Sequence, residues 1–559
     1  MDYMEQNFKN KKFIIYGSNR VAKDFAYIFS DVINIVGYIS DDEEPGRESE
    51  YPIIICDFSK DDKIRRLEKL GYKRGIDFYL ESDLFQVLDS FRVPDYKELY
   101  VWGTGRNAEQ LQLKELQINV CGYIDSFKDI KTYNDKPVIK PNQLPSKEKC
   151  FVIISVYNCA DIVAELNKKG FVEFEDYVGI NGYLERPSKL LRETIFDRSY
   201  YELDCKTMLN HLEVLDHGVT SCCCTTFVKE RLGNVLQFTK NELWNSIKHK
   251  ILCLSTQNHT YTFCDKKMCP LFVSNKRTDI SSVDKNWGNS DYCEMEKAPT
   301  TLAFGFDGGC NLHCVSCRNK PYVLQGEDKN EADEISEIVC KDYLPNANFV
   351  ILAGNGEAFL CPTYKKIMTD PAFKSLKYVR ILSNGILFTE KNWELLREHT
   401  DAKLMLTVSI DAASKDTYER IRRGGNFDIL LKNLRFASDL KDKGELAYFR
   451  INFVVQSENY KEMPLFVKLG EELGVNEVFF TKILNWGTYT NDEFKEISMM
   501  EEDGETPKKN LQEVLESKEM KSPIVDMGTI QFSHKADEAS SVFNYYMWEL
   551  EKRGGGLFQ

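Results

Sequence analysis

The amino-acid sequence predicts an α/β protein of several domains. Its 559 residues exceed what one hydrophobic core usually supports. A strand, glycine turn and helix pattern occurs twice near the start, and six apolar runs alternate with amphipathic stretches from Thr301 onwards. We expect two repeated units, a cysteine-rich segment, a parallel βα domain and a C-terminal extension. The expected boundaries are residues 1–95, 96–190, 200–295, 296–490 and 491–559.

The first repeated unit begins with KFIIYGSNRVAKDF at Lys12, and the second begins with LYVWGTGRNAEQL at Leu99. In each unit the strand, glycine turn and helix are followed by a second strand with an acidic end, at Asp41 and at Asp125. This order of elements predicts two tandem Rossmann-like units.

The second unit carries Gly103-x-Gly105-x-x-Ala108 after its strand, and Asp125 lies where a ribose-binding acid would be expected. A tight strand-to-helix turn needs a glycine whether or not a nucleotide binds, so a purely structural role is the alternative. The two units resemble small Rossmann-like domains found beside sugar-modifying transferases and epimerases. That resemblance points towards a carbohydrate or nucleotide-sugar substrate.

Charge and apolar patterning limit the classes of function. Lysine and arginine number 73 against 87 aspartate and glutamate, which gives a formal net charge of −14. This balance argues against a surface that neutralises phosphates, so we expect no nucleic-acid partner. No apolar run is long enough for a signal peptide or a bilayer span, so we expect a cytoplasmic protein. The 17 cysteines then predict thiols or metal ligands rather than disulfides.

The sequence GGCNLHCVSC places Cys310, Cys314 and Cys317 directly after the first apolar run of the βα domain. Three thiolates can bind three irons of a four-iron cluster and leave the fourth iron open to another ligand. The alternative is a zinc knuckle whose fourth ligand is His313 or Cys293.

The CX3CX2C spacing at the end of a first strand resembles the radical S-adenosylmethionine (radical SAM) superfamily, over about residues 301–487. The resemblance implies a partial (β/α)6 barrel whose 4Fe–4S cluster binds S-adenosylmethionine. Cleavage of that molecule would give a 5′-deoxyadenosyl radical, which abstracts hydrogen from a substrate. Ser316 departs from the family, which usually has an aromatic residue just before its third cysteine.

Polar motifs end the next three strands and match positions from which the family binds S-adenosylmethionine. The motif GNGE, in which Asn355 replaces a glycine, ends the second strand, and SNG and SID end the third and fourth. The implied cofactor-binding residues are Gly354, Gly356, Glu357, Asn384, Ser409 and Asp411. Four further residues either face the cofactor or substrate or are structural: Asn452, Gln456, Lys482 and Trp486.

The segment before the βα domain contains four further candidate metal ligands. They are Cys205, Cys223, Cys264 and Cys269. Their order, with Gly218 before the second cysteine, resembles the first half of the SPASM auxiliary-cluster domain, although that domain normally follows the radical SAM domain. The resemblance implies an auxiliary 4Fe–4S cluster suited to electron relay. A structural zinc site is the alternative, and the ligand among residues 222–224 is open.

The leading hypothesis is a radical SAM enzyme that oxidises a sugar, nucleotide sugar or carrier-linked small molecule and passes an electron to an auxiliary cluster. Its expected partner is a reductant such as flavodoxin or ferredoxin. A second hypothesis keeps the radical chemistry but makes the substrate a ribosomal peptide. A third, from another class, is a non-catalytic iron–sulfur or zinc scaffold that binds a nucleotide. No side chain is identified as quenching the substrate radical.

Overall fold

A computed structural model describes six stretches of the chain, residues 11–29, 33–84, 97–179, 203–272, 297–485 and 488–530. Shorter gaps inside these stretches are residues 47–48, 58–59, 82, 106–107, 109–119, 157–158, 173–175, 204, 226, 229–230, 267–268, 270, 318–320, 353, 502–503 and 505. Cys293 and Trp486, which were candidates from the sequence, lie outside the described residues.

The described residues of the first repeated unit form a parallel sheet of order β2-β1-β3-β4 with two helices. Its elements are β1 (Lys12–Tyr16), α1 (Arg20–Phe29), β2 (Asn34–Ile39), β3 (Ile53–Ile55), α2 (Asp61–Lys69) and β4 (Phe78–Leu80). Helical spacing places Val21, Phe25 and Ile28 of α1 on one buried face. At Gly17, where φ is 151°, a Cβ would collide with the carbonyl oxygen of Cys56, so the packing of β3 alone requires glycine.

The second repeated unit is a sheet of order β10-β9-β5-β6-β8-β7, parallel except for the β7–β8 pair. Its elements are β5 (Glu98–Trp102), β6 (Val120–Ile124), β7 (Thr132–Tyr133), β8 (Lys136–Ile139), β9 (Cys150–Ile154), α3 (Ala160–Lys168) and β10 (Tyr177–Gly179). The helix predicted after Gly105 falls largely outside the described residues. A Cβ on Gly103 would collide with the Ser155 hydroxyl, so here too the neighbouring strand requires glycine.

The acids that end the second strands are engaged within the units. The Thr104 hydroxyl and two backbone N–H groups donate to the Asp125 carboxylate. Ser18 Oγ donates to Asp41 in the same way, at 2.9 Å. These contacts explain both acids structurally, and nucleotide binding by either unit stays a prediction.

The cysteine-rich segment joins the sheet of the domain that follows it. Its elements are α4 (Thr207–Asn210), β11 (His211–Val214), β12 (Val219–Ser221), β13 (Gly233–Asn234), α5 (Lys240–Trp244) and α6 (Ile247–Gln257). Strand β11 pairs in parallel with the first strand of the βα domain, and β12 and β13 continue the sheet in antiparallel fashion. The segment and the βα domain therefore share one sheet.

All six apolar runs of the βα domain are strands, and they pair in chain order, each parallel to the next. The strands are β14 (Thr301–Phe304), β15 (Phe349–Leu352), β16 (Tyr378–Ser383), β17 (Lys403–Ser409), β18 (Leu446–Val455), β19 (Glu477–Lys482) and, from the C-terminal extension, β20 (Val525–Asp526). The helices are α7 (Gly326–Ile338), α8 (Pro362–Met368), α9 (Glu390–His399), α10 (Lys415–Ile421), α11 (Phe427–Asp442), α12 (Met463–Glu472), α13 (Asn491–Ile497) and α14 (Lys509–Leu515). The protein is thus a mixed α/β protein with parallel sheets.

The core behind the ten-stranded sheet continues into the first unit. Phe25 and Phe29 of α1 belong to this core together with Ile251 and Leu254 of α6. The second unit has a separate core that includes Leu166. Across the described stretches, no helix combines the length and the apolar composition needed to cross a membrane.

Candidate active site and auxiliary cysteine site

Parallel pairing brings the carboxyl ends of β14 to β19 to one edge of the sheet, where the predicted motifs lie. The loop that follows β14 carries the three cysteines. Cys310 forms a two-way backbone bridge with Tyr322, and the Cys317 N–H donates to the carbonyl of Cys314 at 3.0 Å. Cys314 is buried, Cys310 is half-buried and Cys317 is exposed. The loop therefore presents its thiols at different depths on this edge.

The thiols of Cys310 and Cys314 accept hydrogen bonds. Cys310 Sγ accepts from the Leu312 N–H at 3.5 Å and from Asn384 Nδ2 at 3.8 Å. Cys314 Sγ accepts from Arg422 Nη1 at 3.7 Å. Donors of this kind stabilise thiolates and are typical of the surroundings of iron–sulfur clusters.

The second motif packs directly beneath the cysteine loop. A Cβ on Gly356 would come within 2.7 Å of the Gly309 carbonyl oxygen, so glycine is required there, and the Glu357 N–H donates to that same oxygen at 2.7 Å. Gly354 donates its N–H to the carbonyl of Phe304 at 3.0 Å, which ties the motif to the end of β14.

Glu357 is fully buried beside the third motif. Its carboxylate accepts from Ser383 Oγ and from the backbone N–H of Asn384, both at 2.8 Å. Burial raises the pKa of Glu357 to about 7, which these hydrogen bonds oppose. Its ionisation near neutral pH is therefore sensitive to a cation placed beside it.

The fourth motif is held by partners on β18 and after α10. Ser409 is half-buried and pairs in register with Asn452 of β18. Asp411, at φ 64°, accepts from the backbone N–H of Val454 at 2.8 Å and forms an ion pair with Arg422 at 2.5 Å. Both carboxylate oxygens of Asp411 thus have protein partners, and its contact with a ribose stays a prediction.

Several buried polar atoms near these motifs have no hydrogen-bond partner among the described residues. They are His313 Nδ1, Tyr418 OH, Arg422 Nε and Gln456 Nε2. A buried polar group left unpaired costs about 1–3 kcal/mol, so such atoms are expected to meet a bound polar molecule. Together with the hydrogen-bonded thiols, they fit a cluster and a polar organic cofactor at this edge.

Within the described stretches, no three histidine, cysteine or acidic side chains are compact enough to hold one metal ion. A four-iron cluster makes a different demand, because each thiolate binds its own iron and the sulfurs need not converge on one point. The metal-binding role of Cys310, Cys314 and Cys317 stays a prediction.

The four cysteines of the preceding segment lie near enough to one another for their charges to interact. Burial raises the pKa of the Cys223 thiol, and the charges of Cys205, Cys269, Cys224 and Cys264 raise it further. Burial also raises the pKa of Cys269 to about 12, and Cys205 adds to that shift. Repulsion between the thiolate forms opposes ionisation here, and a bound metal cation would offset it.

Among residues 222–224, Cys223 is affected by the charges of all three of the other predicted auxiliary ligands. Cys222 is fully buried, and its charge acts on both Cys253 and Cys264. Each of the three cysteines of this run therefore interacts with at least one other predicted ligand, and Cys223 stays a prediction.

A cavity of about 570 Å³ opens beside Cys317. Its walls come from α3 of the second unit, the turn between β11 and β12, the cysteine loop and α7. The lining residues are Asp161, Asp216, His217, Phe306, Gly308, Cys317, Tyr322, Leu324, Asp328, Glu331, Ala332, Ile335 and Asn355. The lining combines apolar side chains with four carboxylates, those of Asp161, Asp216, Asp328 and Glu331.

Hydrogen bonds connect the cavity walls. His217, at φ 58°, lies 2.6 Å from Glu331 of α7. Asn355 Nδ2 donates to Asp216 at 3.1 Å. Asn355, which replaces a glycine of the expected motif, therefore links the loop after β15 to the cysteine-rich segment.

Sequence reasoning missed Arg422. The available signal was the run IRRGGNF, in which two arginines precede two glycines shortly after the fourth strand. Gly424, at φ 84°, packs against the His313 ring, which brings this run onto the cysteine loop. The contact links residues that are distant in sequence, so local pattern alone did not reveal it.

Comparison with protein families matches residues 306–469 to the radical SAM superfamily. A probable GTP 3′,8-cyclase from Saccharolobus islandicus (strain Y.N.15.51 / Yellowstone #2) is 27% identical over 183 residues, which are 31% of this chain and 54% of that protein. The mycofactocin maturase MftC of Mycobacterium tuberculosis (strain CDC 1551 / Oshkosh) is 26% identical over 183 residues, covering 32% of this chain and 43% of that protein. The chain thus spans about half the length of the first of these relatives and less of the second.

Among solved structures, Streptococcus suis SuiB bound to S-adenosylmethionine matches with 16% identity and a TM-score of 0.27. That alignment covers 39% of this chain and 46% of SuiB.

Proposed function

Because residues 306–469 are a radical SAM domain and the protein is an enzyme of that superfamily, we propose that it oxidises a small molecule bound in the cavity beside Cys317. Its cofactors are a 4Fe–4S cluster and S-adenosylmethionine. The further proposal is an auxiliary cluster that accepts the second electron of the oxidation. The main support for this proposed function is that residues of the cysteine loop and of the cysteine-rich segment line the same cavity.

In this proposal, Cys310, Cys314 and Cys317 hold the catalytic cluster. When bound, the cluster and S-adenosylmethionine supply a 5′-deoxyadenosyl radical that abstracts hydrogen from the substrate. The chain's own contribution is to fix the ligands. Asn384 and Arg422 donate to two of the thiols, and Gly354 and Gly356 hold the second motif against the loop. Glu357, Ser409 and Asp411 complete the proposed binding set.

The auxiliary site is proposed at Cys205, Cys223, Cys264 and Cys269. Strand β12 begins just after the cavity residues Asp216 and His217 and ends one residue before the run 222–224. Three residues of strand span about 10 Å at ~3.3 Å per residue. A fully ligated cluster at that distance suits the removal of an electron from the cavity.

The cavity supports a small-molecule substrate. Its volume of about 570 Å³ lies within the usual range of small-molecule sites. The carboxylates can accept hydrogen bonds from hydroxyl groups, and the Asn355 amide can both donate to them and accept from them. Among the described lining residues none is lysine or arginine, so the sugar part of a substrate fits these walls better than a phosphate.

The arrangement of the domains is part of the proposal. Residues 296–490 fit a partial (β/α)6 barrel, residues 200–295 a SPASM-like module, and residues 1–95 and 96–190 Rossmann-like units. The catalytic cluster needs a one-electron reductant such as flavodoxin or ferredoxin.

Anaerobic reconstitution with iron and sulfide tests the two clusters together. About eight irons are expected, because each cubane cluster contains four, and dithionite with S-adenosylmethionine should release 5′-deoxyadenosine. Joint replacement of Cys310, Cys314 and Cys317 by alanine should halve the iron and abolish release. Joint replacement of Cys205, Cys223, Cys264 and Cys269 should halve the iron but preserve release.

The matched control for the cysteine variants is Cys121→Ala in the second unit, which should retain all of the iron. Zinc in place of iron at either set, or full iron after either joint replacement, would contradict the assignment of that set.

Substrate class is tested by stimulation of 5′-deoxyadenosine release with a panel of sugars, nucleotide sugars and short peptides. A sugar should stimulate release severalfold, and Glu331→Gln in the cavity should weaken that response. Glu334→Gln, an equal charge change on the exposed side of α7, is the control. Stimulation by peptides alone would replace the small-molecule proposal with the peptide hypothesis.

A further inference from the structure

Cys314 and Arg422 face each other across a short stretch of paired backbone. The residues on either side of Cys314 donate their N–H groups to the carbonyls of the residues on either side of Arg422, both at 3.0 Å. These two bonds bracket the pair. They fix Arg422 Nη1 at 3.7 Å from Cys314 Sγ, a hydrogen-bonding distance for sulfur.

The guanidinium group of Arg422 is held as a buried cation. Its Nη2 forms an ion pair with Asp411 at 2.5 Å, and the two side chains are 13% and 4% exposed. Guanidinium groups are not deprotonated in proteins, so Arg422 keeps its charge although it is buried. Asp411 is itself fixed by the backbone N–H of Val454 at 2.8 Å. The cation therefore keeps both its charge and its position.

We propose that Arg422 is a positioning residue that donates to the Cys314 thiolate and raises the reduction potential of the catalytic cluster. The inference rests on the proposed function, because it requires a cluster at Cys310, Cys314 and Cys317. Reduction adds one negative charge to a cluster, and a fixed cation bonded to one of its sulfurs favours the reduced state. Low solvent exposure keeps water from screening that effect.

The test is an anaerobic redox titration of the reconstituted protein, followed by the electron paramagnetic resonance signal of the reduced cluster. Arg422→Gln should shift the potential to a more negative value, with at least a tenfold fall in the equilibrium constant for reduction. That fall corresponds to about 59 mV for one electron. Arg422→Lys, which keeps the charge on a different donor geometry, should recover part of the shift.

The matched control is Arg420→Gln, which removes an equal charge nearby. Arg420 is 51% exposed and bonds to Glu458 at 2.7 Å, away from the thiols. Its replacement should leave the potential unchanged. Equal potentials in the parent protein and Arg422→Gln would overturn the inference, and so would equal shifts in Arg422→Gln and Arg420→Gln.

A second measurement covers the case in which Arg422→Gln does not load iron. The parent protein is labelled with 15N-arginine, reconstituted and reduced, and the nitrogen couplings are recorded by pulsed electron paramagnetic resonance. A 15N coupling to the cluster that persists in Arg420→Gln supports the hydrogen bond, and its absence from the parent overturns the inference.

Failure of the inference differs from failure of the proposed function. If the parent protein binds iron at Cys310, Cys314 and Cys317 and releases 5′-deoxyadenosine, a potential that does not depend on Arg422 rejects only the inference. If the parent holds no cluster there, the proposed function fails first.

Discussion

The two N-terminal units have the same starting pattern but different relations to the rest of the molecule. In the first unit, α1 packs on α6 of the cysteine-rich segment and shares its core, and Asn258 Nδ2 donates to Asp24 at 3.0 Å. The second unit keeps a separate core, and its α3 lines the cavity, where Asp161 lies 3.9 Å from His217 of the cysteine-rich segment. The repeated unit thus shares a core with the cysteine-rich segment in one copy and forms part of the cavity wall in the other.

The largest effect on stability should come from shortening one buried side chain in the core of each unit. Phe25→Ala in α1 and Leu166→Ala in α3 each remove a fully buried side chain, and each should cost about 2–5 kcal/mol of unfolding free energy. Only Phe25→Ala should also lower the iron bound at the auxiliary cysteines, because its core is shared with α6. Denaturant unfolding and iron counts measure both effects.

Equal iron in Phe25→Ala and the parent protein would show that the first unit does not support the auxiliary site. Loss of iron from the auxiliary cysteines in Leu166→Ala would show that the second unit supports that site too, which would contradict the expected difference between the units.

A smaller difference in stability is expected between variants of two acidic residues, Asp24 of the first unit and Asp161 of the second, through which the units contact neighbouring segments. Asp24→Ala leaves a buried amide of Asn258 without this acceptor and should cost about 1–3 kcal/mol. Asp161→Ala changes a side chain that is 98% exposed, so the free energy of unfolding should change by no more than about 0.5 kcal/mol. Thermal unfolding of the two variants gives the comparison, and equal costs would contradict it.

The smallest difference concerns the hydroxyl groups beside the glycine turns. Thr104→Val removes a donor to Asp125 in a buried pair and should cost about 1 kcal/mol, whereas Ser18→Ala at an exposed site should cost less than about 0.5 kcal/mol. Unfolding in urea at neutral pH measures the two costs. A Ser18→Ala variant that loses more stability than Thr104→Val would reverse the expected order.

The hydrogen-bonded pair of Thr104 and Asp125 also predicts that stability depends on pH. Burial opposes the ionisation of Asp125, but Thr104 and the backbone N–H groups of Lys128 and Phe127 hold its pKa below the usual value. A lowered carboxyl pKa gives stability that is present above the unfolded value of about 3.9 and lost as the pH falls through the folded value. Acid unfolding followed from pH 6 downwards should therefore begin at a higher pH in Thr104→Val than in the parent protein.

The sequence predicted those parts of the fold and site that depend on local pattern. The six apolar runs are strands, and the motifs after them lie at one edge of the sheet because parallel strands end on the same side. The radical SAM prediction and its two cofactors are confirmed by the family match and the relatives. The substrate class, the metal ligands and the domain boundaries stay predictions.

What the sequence did not reveal depends on contacts between distant segments. Strands β11 and β12 are four and three residues long, too short for a periodic signal to show that they join the larger sheet. Arg422 contacts Cys314 because two backbone hydrogen bonds align their segments. The hydrogen bond between Asn355 and Asp216 likewise links a motif residue to a segment that precedes it by more than a hundred residues.

The shared sheet has a consequence for biosynthesis. Strand β11 leaves the ribosome before β14, the strand against which it pairs, and the segment 215–300 between them takes roughly 4–17 s to synthesise at about 5–20 residues per second. During that interval β11 exposes an unpaired edge, and Cys205, Cys223, Cys264 and Cys269 are thiols on an incomplete domain. In the proposed function, loading of iron at these cysteines is therefore expected to follow translation of β14. The nascent chain is then most vulnerable to oxygen and to aggregation just before that strand appears.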